Sequence, residues 1–562
     1  MTSGTSALLA TDSHFDPDCN MVQRPAATPG YHTKLAPGTP SHPTRESINY
    51  AQALFESDEA WRHERACAIL AKILAMQEKD PTSIWFGLWG WFSEEPPDKM
   101  APADWNWADF IGARLAEIIA RFPQLLPPEL LAKSRAALDR AAWSIFRRNI
   151  RVEYTNIWAM GAAVCLAAGE LVPEPRLLAY GLERLRNLRR QLEFDGGFNE
   201  YNSSTYTLVA LIEFERILGL VRNAEARAEA ETLLHHTWRL IAAQFHPGTG
   251  QWAGPACRSY NDWLDEPKLL FLEHRIGFKI PRRVVPKIDF FADGFFSSHP
   301  RPCPVEFRER FRALPSDPHV FKNCWYRAGD GTPVQVSTTW FTEDATLGSM
   351  NRESTWNQAR VVLGYWRTLE DPAIRLRLRL LHDGRDFASG FVWNDQEGPR
   401  VLTGAHFVTG MGDFHPSLDM AADGVFSISD LRLRYEVEGN GLHLEQADGC
   451  QFLFSAGQRR AVVHAGPGWF DGQPTAKWET GQDGNRKWVD CIFYSGPARA
   501  FNPVTLGETS AVVALELLAL TESPSLSPIE SSTDATHRHF TWQSDRAYAV
   551  GVPLRGGKRP RP

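Results

Sequence analysis

Cysteine is sparse and never clustered. Cys19, Cys67, Cys165, Cys257, Cys303, Cys324, Cys450 and Cys491 are scattered over 562 residues with no CxxC pair and no zinc-finger spacing. That distribution excludes a disulfide scaffold and reads as reduced, mostly buried thiols in a reducing compartment. No apolar run approaches the ~20 residues a membrane helix needs. The start, MTSGTSALLATDSHFDPD, has neither a basic region nor a long apolar stretch, so no secretory signal is read and a cytoplasmic location is expected. Basic charge is also short. A net charge of -7 without a dense basic stripe argues against a nucleic-acid partner, because little is present to displace counterions from phosphates. P-loop and dinucleotide-binding glycine patterns are absent, and no helix carries a His/Glu/Asp pair at metal spacing, so neither cofactor nor metal is implied.

What the chain does have is aromatic and periodic. Twenty tryptophans crowd into motifs such as WFGLWGWF and DWNWADF. In the second motif Trp105 and Trp107 fall on alternate sides of a turn entering a helix, either to floor a ligand groove or to cap a helical core. Residues 1–45, rich in Pro, Thr, Ser and His, read as a flexible arm. From there to about residue 290 apolar residues recur at helical spacing, through segments such as ADFIGARLAEIIARF and STYTLVALIEFERILGL. Helices joined by short loops imply antiparallel hairpins, arranged as an (α/α) toroid because no fixed-period repeat supports a solenoid. Residues 291–333 read as a Pro-rich junction. Over 334–555 the period drops to 2, with candidate strands at VQVSTTWF, IRLRLRLLH, LRLRYEVEG and VVALELLAL, and the expected unit is an antiparallel β-sandwich. The arginines of IRLRLRLL are expected on a solvated or edge-protecting face. The basic end, 556–562, is expected to be disordered. The fold class is thus α+β, with a helical toroid followed by a sandwich.

One polar loop stands out between two helices: FDGGFNEYNSSTY, residues 194–206. Its glycines permit unusual backbone conformations, Asn202 or Ser203 is placed to cap the next helix, and Asn199, Glu200 and Asn202 put amide and carboxylate tips at a helix mouth. Tyr206 lies just inside that helix. A second cluster, WAGPACRSYNDW, supplies Arg258 and Tyr260 two residues apart, hence on one side of an extended loop. Arg258 is expected either to hold a substrate carboxylate or to anchor the loop by a salt bridge. His236, next to His235 on a helix, is a further candidate, set against an ordinary packed histidine. Asp195 and Glu200 are the one carboxylate pair suited to a glycosidase. Trp340 and Arg360, with Trp356, Asn357 and Gln358 in the same stretch, form a polar and aromatic cluster in the strand-rich half.

The segment DGGFNEYNSSTY resembles the acidic loop and helix-borne tyrosine of the alginate lyase and heparinase II/III-like polysaccharide lyases, which combine a helical toroid with a β-sandwich. In YTNIWAM, Asn156 is similar to the asparagine that neutralises the substrate carboxylate in the alginate-lyase Asn-Asn-His pattern, with Trp158 beside it. Thr155 and Ile157 stand where the pattern has its Asn and His. The resemblance implies a carbon-oxygen lyase acting on a carboxylated, uronate-like saccharide. In that reading Tyr206 is expected as base and also as acid, Asn156 to neutralise the carboxylate, Arg258 to hold the carboxylate or activate Tyr260, and Trp340 and Arg360 to reach the cleft from the sandwich as such residues do in toroid lyases. The absent signal points instead to an intracellular small molecule undergoing elimination, isomerisation or cyclisation. Glycoside hydrolase, uronyl epimerase and non-catalytic carbohydrate-binding protein are the other readings. No membrane or nucleic-acid partner is expected.

Overall fold

Amphipathic segments build the first half of the chain, as their spacing predicts. The computed structural model describes residues 11–26, 32–283, 297–447, 450–475 and 477–560. Its main helices are α1 (Thr44–Phe55), α2 (Ala60–Ala75), α3 (Trp107–Arg121), α4 (Pro128–Arg148), α5 (Thr155–Leu171), α6 (Pro175–Asp195), α7 (Tyr206–Leu220), α8 (Ala224–Gln244) and α9 (Glu266–Ile276). Proline at the first position starts α4, and Asn149 in the left-handed region ends it. α5 has no polar face because residues Thr155 to Gly169 are all buried. It approaches its neighbour closely at Gly169, where a Cβ would lie 2.6 Å from the Leu178 nitrogen.

The chain divides into two compact units, Met1–Gln191 with Leu208–His236 and Asp293–Arg301, and Leu192–Thr207 with Thr237–Ala292 and Pro302–Pro562. In the first, α3 packs against α4 and α5, and α1 against α2 and α3. Their shared core holds Ile48, Leu70, Trp89, Ile111, Leu138 and Val164. Part of the stretch expected as a flexible arm belongs to this core. Short antiparallel strands Phe15–Asp16 and Met21–Val22 pair there, with Met21 and Val22 fully buried, while residues 1–10 and 27–31 lie outside the described residues.

The second unit is dominated by antiparallel sheet. A nine-stranded sheet runs from Lys477–Asp483 at one edge, through Ile374–His382 near its middle, to His319–Arg327 at the other edge. An eight-stranded sheet is centred on Arg400–Phe407 and Ser510–Ala519. Leu376, Leu378 and Leu380 from the first meet Val401, Ala405, Val513 and Leu515 from the second in one core, so the two sheets form a sandwich. A three-stranded sheet, residues 529–553, covers the outer face of the eight-stranded one through Phe540, Trp542 and Tyr548. Helices followed by antiparallel sheets is the α+β order expected from the two periods. The strand His319–Arg327 falls where a junction was read; its irregular register explains the weak alternation. At the chain end, Arg559 donates to Glu353 Oε1 at 2.7 Å, and only residues 561–562 of the expected tail lie outside the described residues.

One expectation is reversed. Arg375 and Arg377 in IRLRLRLL are 3 % and 6 % exposed rather than solvated. Arg375 donates to Glu436 at 2.6 Å and Glu438 at 2.9 Å, and Arg379 to Asp386 at 2.8 Å. Alternation alone cannot distinguish a wet face from one covered by acidic partners on another strand.

Candidate functional site

The polar loop after α6 is shaped by its attachment to the strand His319–Arg327. Asp195 Oδ1 accepts from the Arg327 backbone N–H at 2.6 Å, and Asn199 Nδ2 donates to the Trp325 carbonyl at 2.7 Å. Gly196 sits at φ 98°, a conformation that glycine adopts without strain. Gly197 is demanded by space instead. A Cβ there would lie 2.4 Å from the ring of Trp325, which is fully buried and pinned by its indole N–H to Ser337 Oγ at 2.7 Å. Gly197→Ala is therefore expected to destabilise the protein by about 1–3 kcal/mol through overpacking, measured as a lower midpoint in urea.

Three segments are then stitched side by side. Asn202, at φ 49°, donates to the carbonyls of Ala253 and Pro255 at 2.7 and 2.8 Å and accepts from the Trp252 indole at 2.5 Å. Cys257 donates its backbone N–H to the Tyr201 carbonyl, Ser259 to Gln358, and Ala256 pairs with Arg360 in an antiparallel bridge. Ser203, not Asn202, caps α7: its hydroxyl accepts from the Tyr206 N–H at 3.0 Å and donates to the Arg258 carbonyl at 2.6 Å. One side chain thus sets both the helix start and the arginine loop.

The result brings four of the nominated residues together. The Tyr206 and Tyr260 hydroxyls are 2.5 Å apart, and the Arg258 guanidinium lies over the Tyr206 ring, 4.2 Å from its centroid. Arg258 Nη1 donates to Glu200 at 3.0 Å and its Nε to Gln358 at 3.3 Å, while Trp356 approaches the same guanidinium at 5.9 Å. Tyr206 is buried; Tyr260 and Arg258 are partly exposed, so the cluster has a wet side. Two hydroxyls in direct contact beside a cation can move a proton between them. Asp195 and Glu200 are committed to different partners, the Arg327 N–H and Arg258.

Other nominated residues have structural occupations. Trp340 packs in the sandwich core. Arg360 donates to Asp262, as does Arg375, and Arg377 lies 3.5 Å from the same carboxylate. Burial opposes ionisation of Asp262, yet Arg360, Arg377 and Arg375 together hold it well below the usual carboxylate range. Arg360 is itself pulled down to about 10, by burial first and the nearby Arg377 second. Asp262 was not singled out in sequence; the available signal was its position two residues after Tyr260 in a chain with a basic strand lacking an obvious counter-charge. A cavity of about 290 Å³, mouth included, adjoins the same loop, lined by Ser204, Trp252, Ser259, Asn261, Asp262 and Tyr365.

The remaining candidates belong to the first unit. Asn156 is 1 % exposed. It lies inside the first turn of α5, whose N-cap is Tyr154, so it is not the capping residue. The Trp158 indole donates to the Arg184 carbonyl at 2.7 Å, and the Arg184 guanidinium stacks on it at 4.1 Å. Trp107 stacks on Trp91 with centroids 5.0 Å apart, Trp105 packs against the helical core, and His236 is partly exposed on α8.

Residues 6–266 match a family model described as a domain of unknown function, DUF8769. No curated protein matches the chain. Among solved structures the chain is similar to heparinase III, at 10 % identity and TM-score 0.45, covering 98 % of this chain and 90 % of that one. It is likewise similar to the Streptomyces coelicolor A3 chondroitin AC lyase solved with chondroitin sulphate, at 10 % identity and TM-score 0.45, covering 98 % and 88 %. A heparan sulfate lyase from Pedobacter heparinus is similar at 10 % identity and TM-score 0.34, covering 91 % and 82 %.

Proposed function

We propose that this protein is a carbon-oxygen lyase for a carboxylated saccharide, with Tyr206 and Tyr260 as its proton-transfer pair. The observation that carries the reading is the direct contact of the two hydroxyls beneath Arg258. In the elimination Tyr206 acts as its phenolate, with the Arg258 guanidinium over the ring offsetting the charge; the C–H bond next to the substrate carboxylate breaks and its proton passes to the phenolate oxygen, from which it later crosses to Tyr260 and restores the pair. The electron pair forms the new C=C bond, and the C–O bond on the neighbouring carbon breaks. Tyr260, partly exposed, returns a proton to the leaving oxygen. Arg258 supplies positive charge where the carboxylate gains electron density, and the Glu200 and Gln358 contacts hold its planar fork in place. A glycosidase mechanism is less well supported, because Asp195 serves the loop's attachment and Glu200 serves Arg258.

The test is to mix the protein with a panel of uronate polymers and unsubstituted uronate oligosaccharides, and to follow ultraviolet absorbance from a conjugated double bond. A signal from polymers, and a loss of about 10²–10³-fold in kcat/KM on Arg258→Ala, is the expected result. Signal only from the short substrates would move the proposal to a small-molecule eliminase. No signal from either set removes the lyase reading.

A further inference from the structure

The N-terminal hairpin and the start of α1 place three metal-type donors together in the first unit. The strand Phe15–Asp16 ends in a tight turn to Met21–Val22, with Asn20 at φ 54°. Asp16 Oδ1 caps that turn, accepting from the Asp18 N–H at 2.9 Å, which leaves Oδ2 directed elsewhere. It meets His42 Nε2 at 2.9 Å. The donor atoms of Asp16, Cys19 and His42 all lie within 4.8 Å of one another. The His42 side chain is only 8 % exposed, and its other nitrogen, Nδ1, is 2.5 Å from Glu94 Oε1. Glu94 is fixed in turn by the His42 backbone N–H at 3.1 Å.

We propose that Asp16, Cys19 and His42 form a zinc site that clamps the N-terminal hairpin onto the helical unit. The donor set is one that Zn²⁺ favours: a thiolate, an imidazole and a carboxylate, with water completing a tetrahedron. Glu94 occupies the outer position from which a carboxylate holds the ring N–H and aims Nε2 at the metal. Tetrahedral ligand atoms around zinc lie about 3.3–3.8 Å apart, so the Asp16–His42 pair at 2.9 Å must open by about 0.5 Å while Cys19 closes by at most about 1.5 Å, within reach of side-chain rotation in a turn. The same residues without metal form a histidine hydrogen-bonded between two carboxylates beside a thiol, and that is the competing arrangement. Binding would join strands that otherwise contribute only two residues each. The site is independent of the tyrosine cluster and of the lyase proposal.

Metal content of the full-length protein, purified from zinc-supplemented cells and passed through gel filtration, tests the site. About one zinc per chain is expected. Replacing it with Co²⁺ should give a thiolate-to-cobalt charge-transfer band that disappears in Cys19→Ser. Glu94→Gln, which keeps all three ligands, should weaken zinc binding about 10–100-fold. Substoichiometric zinc in the wild-type protein with no cobalt band overturns the proposal, as does a band that persists in Cys19→Ser. The zinc content and the cobalt band of the wild-type chain are read without any variant, so the test holds even where Cys19→Ser fails to fold.

Discussion

Turnover falls by about 10²–10⁴-fold in Tyr206→Phe, the range by which a positioned proton-transfer group accelerates a reaction. The substitution removes one oxygen and keeps the ring on which Arg258 rests 4.2 Å away, so the α7 cap at Ser203 and the arginine loop should persist. The folded state loses one hydroxyl contact, worth about 1 kcal/mol. The informative pattern is therefore a collapse in kcat with little change in KM or in the urea midpoint. Tyr260→Phe should reduce kcat too, and should remove one limb of the pH–rate profile, since the two hydroxyls act as acid and base on opposite sides of the reaction. A Tyr206→Phe variant retaining activity within about threefold would leave proton transfer to some other group and end the proposed mechanism.

The largest effect on stability is expected at Asp262. Its carboxylate is shared among Arg360, Arg375 and Arg377, all less than a tenth exposed. Asp262→Asn leaves the same shape but takes from Arg360 its carboxylate partner, and from Arg375 and Arg377 one of theirs, in a low-dielectric interior. The cost expected is about 3–5 kcal/mol, the range for removing one partner of a buried ion pair. Unfolding in urea measures it directly. The pH dependence has a definite sign. The Asp262 carboxyl is depressed in the folded state, so its contribution is present above the ordinary carboxylate pKa of about 3.9 and is lost as pH falls through the lower folded value. Acid unfolding should accordingly begin below about pH 4, and Asp262→Asn should flatten that limb. An unchanged midpoint in the variant would mean that Glu436, Glu438 and Asp386 balance the arginines without it.

The tyrosine pair and Asp262 are tied to the same loop. Arg258, Tyr260 and Asp262 lie at alternate positions, but the chain bends at Tyr260 and Asp262, so they do not share one side. Arg258 and Tyr260 meet Tyr206, whereas Asp262 turns to the basic strand. The loop is thus held at its far end by a buried charge network and presents its near end at a partly wet surface. Rigid support of this kind is what the proposed proton-transfer pair would require, because its two hydroxyls must stay within hydrogen-bond reach.

Local chemistry made much of this readable. The period of 3.6 over 46–276 and of 2 beyond 334 follows from which side chains must leave water, so the helical and sheet halves were legible. So was the local shape of the 194–206 loop, with Gly196 in a left-handed conformation and Ser203 capping the next helix. Non-local partners were not legible. That the IRLRLRLL arginines are buried depends on Asp262, more than a hundred residues earlier, and on Glu436. That Met21 and Val22 are core residues depends on a surface supplied by α1, where Ser47 Oγ accepts the Val22 N–H at 3.0 Å.

The amino-acid order alone decided the kinds of element and the identity of the tyrosine-bearing loop, because hydrophobic periodicity and turn chemistry act over a few residues. Tertiary structure alone decided that the 206 and 260 hydroxyls touch and that Arg258 lies over one of them. It likewise decided that Asp16, Cys19 and His42 converge. Distances between residues 23 to 54 positions apart are set by which chain segments pack together, and no local pattern encodes that choice.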